Sequence, residues 1–278
     1  MTKTINVEII SVGNELLIGK ISNTNAQYLS KQATNLGTNI TRTTTIPDVI
    51  DDIASALQEA LKRKPRFIIT TGGLGPTFDD KTLAGIAKAL NQKLTVNPQA
   101  LDMVKEKYEA YAKSKNIQTA VELTQPRIKM ATLPQKITLI RNPIGTAPAI
   151  QAKANDTIIF VLPGVPREME AIFQETIAPL LRQVAKGKAF YGKSLYVHDI
   201  MESALAPLID TVMQTNPDVY IKSHPKGEEN KPYIEIHLSI TSEDKQKAQE
   251  KLEEAATQLA KLITRNHGKA SNQKQIET

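Results

Sequence analysis

Short apolar, β-branched runs alternate with segments of helical periodicity from the start of the chain to about residue 185. INVEIISV (5–12) predicts a strand, and NTNAQYLSKQATNLG (23–37) a helix with Ala26, Leu29, Ala33 and Leu36 on one face and Gly37 as its stop. TNITRTTT (38–45) predicts a second strand, and Pro47-Asp48 opens a helix carrying Ile50, Ile53, Leu57 and Leu61 that Pro65 breaks. RFIITT (66–71) predicts a buried strand running into a glycine cluster, and LAGIAKAL (83–90) the next helix. A long polar helix follows from Asn97-Pro98 to about 115. ITLI (137–140), APAIQAK (147–153) and DTIIFVL (156–162) predict three more strands, and Pro166 starts the helix PREMEAIFQETIAPLLRQV. The pattern is that of an α/β domain with a mostly parallel sheet covered by helices on both faces. Ligands of such sheets bind at the carboxyl ends of the strands, so the loops after 12, 45 and 71 are the first candidates for a site.

The pattern changes after GKAFYGKS (187–194). SLYVHDI (194–200), DVYIKS (218–223) and PYIEIHLSI (232–240) predict strands, with helices at 202–214 and 243–264. The last helix places Ala248, Leu252, Ala255, Leu259 and Leu262 on one stripe, which reads as core. The expected organisation is therefore a first domain at 1–187, a small α+β domain at 188–266 and a frayed tail at 267–278.

The sharpest local feature is TTGGLGPTFDDKT (70–82), between a strand and a helix. Gly72, Gly73 and Gly75 allow positive φ and let backbone N–H groups approach a ligand, and the following helix N-terminus favours phosphate. No GxGxxG is present, and Asp80 stands where a Walker A loop has glycine, so neither dinucleotide fingerprint nor P-loop applies. Asp79 and Asp80 have two readings: acids capping the first turn of the next helix, or ligands of a divalent cation that bridges phosphate oxygens. The three neighbouring glycines favour the cation. In VGNELLIGKISNTN (12–25), Glu15 lies just past a strand end and Asn23 or Asn25 can cap the following helix; Asp48 is by default an N-cap. NPIGTAP (142–148) and LPGVPREME (162–170) read as turns, or as walls of a pocket with Glu168 as an acidic ligand.

Composition narrows the chemistry. The chain has 278 residues, 40% apolar, without an 18-residue apolar run, and its polar start is neither signal peptide nor membrane span, so a cytoplasmic protein is expected. With no cysteine, thiol and zinc-thiolate chemistry are excluded; four separated histidines without HExxH exclude a zincin helix. Any metal falls on oxygen ligands, which favours Mg²⁺ or Mn²⁺. The charge is 35 − 29 = +6, but no tryptophan is present and no stretch interleaves aromatics with Arg or Lys. A nucleic-acid partner is therefore not expected, and the charge suits an anionic small molecule. His237 reads as an ordinary strand histidine.

Taken together and in this order, VGNELLIGKISNTNAQYL, TTGGLGPTFDDKT, NPIGTAPA and LPGVPREME make the chain resemble the CinA (competence/damage-inducible) family over most of residues 5–185. The amino-terminal domain of that family is similar to the molybdopterin-binding domain of MoaB, MogA and MoeA. The resemblance implies a three-layer α/β/α domain and self-association, commonly as a homodimer. It also implies a metal-dependent pyrophosphatase, using Mg²⁺, Mn²⁺ or Co²⁺, that cleaves ADP-ribose or a similar nucleoside diphosphate compound. The carboxy-terminal deamidase domain of longer family members is not expected in 278 residues.

Carried over by motif, Gly72, Gly73, Gly75 and Thr77 would line the phosphate site, and Asp79 and Asp80 would serve the metal or the attacking water. Glu15 joins them as a catalytic candidate. Asn25, Asp48, Asn142, Gly145, Pro163, Gly164 and Glu168 would complete the pocket. Two positions depart from the family pattern: Ala149, where glycine is frequent, and Lys81, where an apolar residue is common. Two alternatives to hydrolysis stand beside it: a protein that binds molybdopterin or transfers an adenylyl group, and a non-enzymatic partner of nucleic acid or protein.

Overall fold

The computed structural model describes residues 5–116, 122–226 and 233–272. The chain divides into two compact units, Met1–Thr34 with Thr38–Val184, and Asn35–Gly37 with Ala185–Thr278. Among the described residues no helix is long and apolar enough to cross a membrane.

The first unit runs β1 (Asn6–Val12), α1 (Asn14–Leu17), α2 (Thr24–Asn35), β2 (Asn39–Ile46), α3 (Ile50–Lys62), β3 (Phe67–Thr71), α4 (Thr82–Ala89), β4 (Leu94–Val96) and α5 (Pro98–Ser114). It continues with α6 (Gln125–Met130), β5 (Thr132–Pro134), β6 (Ile137–Ile140), β7 (Ala149–Ala154), β8 (Thr157–Leu162), α7 (Pro166–Ile172) and α8 (Ala178–Ala185). Its six-stranded sheet has the order β2-β1-β3-β8-β7-β6. The four strands β2, β1, β3 and β8 are mutually parallel, while β7 is antiparallel to both its neighbours. The β7–β8 hairpin turns at Asn155, whose φ of 52° is the left-handed conformation asparagine tolerates.

Every residue of β3 is buried, as a central strand covered on both faces requires. Alternate residues divide between the two faces. Ile10, Val12, Ile68, Ile159 and Val161 join one core with Ile53, Leu57 and Ile86 of α3 and α4. The intervening positions Ile9, Phe67, Ile69, Phe160 and Leu162 are buried on the opposite face. Tyr28 of α2 meets Phe173 edge-on, which ties α2 to the helical run that follows β8. This is the three-layer α/β/α arrangement that the resemblance implies.

Three helix details differ from the expectation. Ile50 opens α3 but is 36% exposed, and Ala54 and Ala60 complete its buried face beside Ile53 and Leu57. The helix expected from Pro166 is interrupted by a π turn at Phe173–Ile177 before α8 resumes. Pro179 explains it: a proline there has no N–H for the carbonyl of Glu175, and one wide turn absorbs the mismatch. Between the long polar helix and ITLI (137–140), where the sequence pattern names no element, α6 and β5 form, and β5 pairs with β4.

The second unit comprises β9 (Ala189–His198), α9 (Glu202–Thr215), β10 (Tyr220–Pro225), β11 (Tyr233–Ser242), α10 (Lys245–Arg265) and β12 (Lys269–Ser271). All neighbours in its sheet, β10-β11-β9-β12, are antiparallel. Leu195, Val197, Ile234, Ile236 and Leu238 pack with Leu205, Val212, Leu252 and Leu259 of the two helices. The strand expected at 194–200 begins earlier, at Ala189 within GKAFYGKS, because ten consecutive residues, Ala189–His198, register against β11. Within the stretch read as a tail, Lys269–Ser271 adds strand β12 to the free edge of β9; residues 273–278 lie outside the described residues, as does Pro232.

Candidate functional site

The parallel strands end together at Val12, Ile46, Thr71 and Leu162, and the loops leaving them surround a cavity of about 520 Å³. Gly72 has φ 104° and its N–H donates to the Leu162 carbonyl at 3.1 Å. A Cβ there would stand 2.2 Å from the Val12 carbonyl oxygen, so only glycine lets the end of β3 close against β1. A Cβ on Gly73, at φ 67°, would meet the Thr82 hydroxyl at 2.3 Å. That hydroxyl donates to the Gly72 carbonyl at 2.7 Å.

These bonds correct one expectation. Helix α4 contributes no residue to the cavity, and its first residue, Thr82, is fully buried with its N–H on the Gly73 carbonyl. The first N–H of the helix is taken by the loop's own carbonyl, and phosphate recognition there would fall to the loop itself.

Asp79 and Asp80 do not lie in the first turn of α4, which begins at Thr82 after Lys81 without a side-chain cap. The capping reading is therefore overturned. Asp80 instead closes a small turn: its Oδ2 accepts the Thr77 N–H at 2.8 Å and lies 2.6 Å from the Thr77 hydroxyl. The same hydroxyl also reaches Asp79 Oδ1, and its one proton serves one carboxylate at a time. That contact holds the Asp79 carboxyl below its usual range, assisted by a backbone N–H and by the charges of Lys129 and Lys81. Lys129 donates to the Thr77 carbonyl and anchors the loop to α6.

Three acidic groups each rest against a glycine. A Cβ on Gly13 would stand 2.5 Å from Glu15 Oε1, one on Gly75 2.6 Å from Asp80 Oδ2, and one on Gly145 2.0 Å from the Glu168 carboxyl carbon. Glycine at these positions makes room for a carboxylate as much as for a turn. Glu168 also accepts a hydrogen bond from Asn142 Nδ2 at 2.7 Å. Asn142 is 3% exposed, and its Oδ1 takes the N–H groups of Ile144 and Gly145 at 3.1 and 2.7 Å. Asn142 and Gly145 do not line the main cavity; they stand behind Glu168 and hold it there.

The default reading of Asp48 as the cap of its own helix also fails. Val49 occupies the N-cap of α3, and Asp48 Oδ2 accepts the N–H of Asn14 at 2.9 Å, at the start of α1. Burial pushes the Asp48 carboxyl up, the Asn14 N–H opposes this, and the negative charges of Glu15, Asp79 and Asp80 push it further. These four acids thus share one electrostatic neighbourhood.

Of the two asparagines, Asn23 caps α2, accepting the Ala26 N–H at 3.0 Å. Asn25 turns to the site, where its Nδ2 donates to Thr71 Oγ1 at 3.0 Å and to the Gly164 carbonyl at 2.8 Å. Thr71 in turn donates to the Pro163 carbonyl at 2.9 Å, so α2, β3 and the turn after β8 are linked at the cavity wall.

Glu15, Asn25, Asp48, Gly72, Gly73, Gly75, Thr77, Asp79, Asp80, Pro163, Gly164 and Glu168 all line this one cavity. Five of the lining residues are acidic, and none is Lys or Arg. Among the described residues no three Asp, Glu or His side chains converge as a finished metal cage. The donor set nonetheless suits Mg²⁺, which is commonly held by one or two carboxylates with water and phosphate completing its shell. Thr71, inside the TTGGLGPTFDDKT segment but not singled out there, also lines the cavity, as do Tyr108 and Met130, which stand outside every motif. Thr71 ends a strand already suspected; Tyr108 and Met130 arrive only through packing of α5 and α6.

Residues 8–183 match the family described as "Probable molybdopterin binding domain". A protein of Caldivirga maquilingensis is 44% identical over 253 residues, 90% of this chain and 94% of its own length. One of Pyrobaculum calidifontis is 42% identical over 256 residues, 92% of this chain and 94% of its own. Among solved structures, the CinA protein of unknown function from Thermoplasma acidophilum is similar at a TM-score of 0.58 and 37% identity. That match covers 64% of this chain and 98% of the CinA structure. Fold, loop and relatives agree: the chain belongs to the molybdopterin-binding-domain family, as a CinA-type member.

Proposed function

We propose that this protein is a metal-dependent hydrolase that splits the phosphoanhydride of a nucleoside diphosphate compound such as ADP-ribose into AMP and ribose 5-phosphate. The observation that carries the reading is the charge of the cavity, which has five carboxylates and no lysine or arginine in its lining. A diphosphate entering alone would be repelled, and a divalent cation resolves the conflict.

Asp79 and Asp80, each with one carboxylate oxygen engaged by Thr77, would hold that cation through the other. When bound it neutralises the diphosphate and polarises a phosphoryl oxygen. The remaining work belongs to the side chains. One P–O bond forms to water and the bridging P–O bond breaks, and a proton leaves the water. Asp48 and Glu15 face the same space to receive it, and the raised proton affinity of Asp48 suits that role. Glu168, fixed by Asn142, and Asn25, fixed by Thr71, set the walls against which substrate is oriented.

The test is incubation with ADP-ribose and Mg²⁺, Mn²⁺ or Co²⁺, with chromatographic detection of AMP and ribose 5-phosphate. Asp80→Asn and Asp79→Asn are expected to abolish turnover with native circular dichroism and melting. Absence of product with every metal, or wild-type turnover by either variant, overturns the proposal. The family description favours one second reading, in which the same cavity binds molybdopterin or its adenylylated form without hydrolysis. It predicts binding of a pterin and no AMP from ADP-ribose.

A further inference from the structure

Tyr108 is the aromatic side chain among the described lining residues of the cavity, and it projects from α5, a helix outside every motif of the site. The guanidinium of Arg127, on α6, lies over its ring at 3.8 Å from the centroid. Arg127 occupies one face of the ring and does not itself line the cavity, whereas Tyr108 does. Its NH1 donates to the Glu122 carbonyl at 2.5 Å, which keeps the guanidinium in place. The ring is thus held on one face by a cation and contributes to the cavity lining.

The neighbouring wall is apolar. Met130 is 2% exposed and Ala147 8% exposed; both line the cavity, and both belong to the core cluster against which Tyr108 packs. Lys107, next in sequence to Tyr108, donates to the carbonyls of Pro143 and Ile144 at 2.9 and 3.3 Å and fixes α5 to the loop after β6. Among the apolar stretches of the cavity lining, this one is built around an aromatic ring whose orientation is set from two directions.

We propose that this wall is the subsite for a planar heteroaromatic ring carried by the phosphate-bearing ligand, a nucleotide base or a pterin, stacked on Tyr108. The inference rests on the assignment of the cavity as a site for such a ligand. It supplies the ring recognition that no sequence motif contains. Stacking tolerates different rings, because each offers a π face. Arg127 contributes by fixing Tyr108 and is a positioning residue.

The test compares wild type with Tyr108→Phe and Tyr108→Leu by titration calorimetry in the presence of Mg²⁺, using AMP, a pterin monophosphate and ribose 5-phosphate. Proton spectra of the ligands supply a second readout, since stacking moves the ring protons upfield. Tyr108→Leu is expected to weaken AMP or the pterin about tenfold, equivalent to about 1.4 kcal/mol, and to abolish the upfield shift. Tyr108→Phe retains both, and ribose 5-phosphate binds all three proteins alike. Arg127→Met is expected to reduce the upfield shift while leaving ribose 5-phosphate unaffected. The inference is overturned if Tyr108→Leu binds the ring-bearing ligands as wild type does. Equal loss of ribose 5-phosphate also overturns it, as does a wild type that prefers neither ring-bearing ligand to ribose 5-phosphate. Tyr108-dependent binding by a protein that makes no AMP from ADP-ribose removes the hydrolase reading and leaves the subsite standing. Turnover of ADP-ribose by Tyr108→Leu with wild-type KM does the reverse.

Discussion

Replacing Gly145 by alanine tests whether the glycines exist to seat carboxylates. The new methyl would fall 2.0 Å from the carboxyl carbon of Glu168 and 2.3 Å from its Oε1, so both cannot occupy the site. The obstacle is the end of a flexible side chain, and Glu168 is the group that moves. Its hydrogen bond from Asn142, at 2.7 Å, is then lost. A charge-assisted bond is worth about 1.5–3 kcal/mol when fully buried. Glu168 is only half-buried and regains water on moving, so the net stability loss is set at about 1 kcal/mol. For a unit of this size that is a fall of about 2–4 °C in Tm.

The effect on turnover is far larger. Displacement of a site group by about 1 Å costs about a hundredfold in rate, or about 2.7 kcal/mol of transition-state stabilisation. The assay is kcat/KM for ADP-ribose hydrolysis beside a melting curve, with Glu168→Gln as the control that keeps shape and hydrogen bond and removes charge. Both variants are expected to lose activity, and only Gly145→Ala to lose the Asn142 contact. Wild-type kcat/KM in Gly145→Ala would refute the seating role.

Two further predictions concern charge in the fold. Asp48, whose proton affinity is raised mainly by burial, favours folding while protonated, and that contribution is lost as pH rises through its elevated folded-state range. Asp48→Asn, which keeps an acceptor for the Asn14 N–H, is therefore expected to be more stable than wild type at neutral pH. The advantage shrinks toward acid; denaturant midpoints at the two pH values measure it, and an equal or lower midpoint at neutral pH contradicts it. Glu8 has a side chain only 3% exposed and takes two bonds from Arg63, at 2.8 and 2.7 Å. Arg63→Met leaves that carboxylate unpaired and is expected to cost about 3–5 kcal/mol, while Arg63→Met with Glu8→Leu recovers most of it; a double variant no more stable than the single one refutes this.

Much of the site could be read from the sequence because its groups stand at strand ends, where period-two burial stops and glycine or proline follows. INVEIISV, RFIITT and DTIIFVL each lead directly into a loop that lines the cavity. What a local pattern leaves open is the partner of each polar group. Asn23 and Asn25 are alike as caps, and only the distance of Asn25 from Thr71, 46 residues later, distinguishes them. Asp79 and Asp80 look like a first helical turn because the helix boundary is uncertain by about two residues from sequence alone. The antiparallel β7 was signalled by Asn155-Asp156, a two-residue turn that an expectation of parallel crossovers obscures. Tyr108 carried no local signal at all: its place depends on α5 packing beside a loop 35 residues further on.

The arrangement of acids sets function apart from stability in this unit. Glu15 sits on Gly13, Asp80 on Gly75 and Thr77, Glu168 on Gly145 and Asn142, and Asp48 on the Asn14 N–H. None of these acids has an ion-pair partner in the cavity lining, whereas Glu8, equally acidic and in the same unit, is matched by a bidentate arginine. A fold selecting only for stability would treat the five acids as it treats Glu8, because unpaired like charges raise the cost of one another. Here Glu15, Asp48, Asp80 and Glu168 are held by groups that carry no compensating charge, while Asp79 also feels the charges of Lys129 and Lys81, so the lining stays net negative. On the proposed reading a cation would bind more tightly for every carboxylate left unpaired, and a phosphate ester would bind together with that cation. The dependence of nucleotide affinity on Mg²⁺ should therefore weaken as each acid is neutralised, which a merely structural set of turns and caps would not produce.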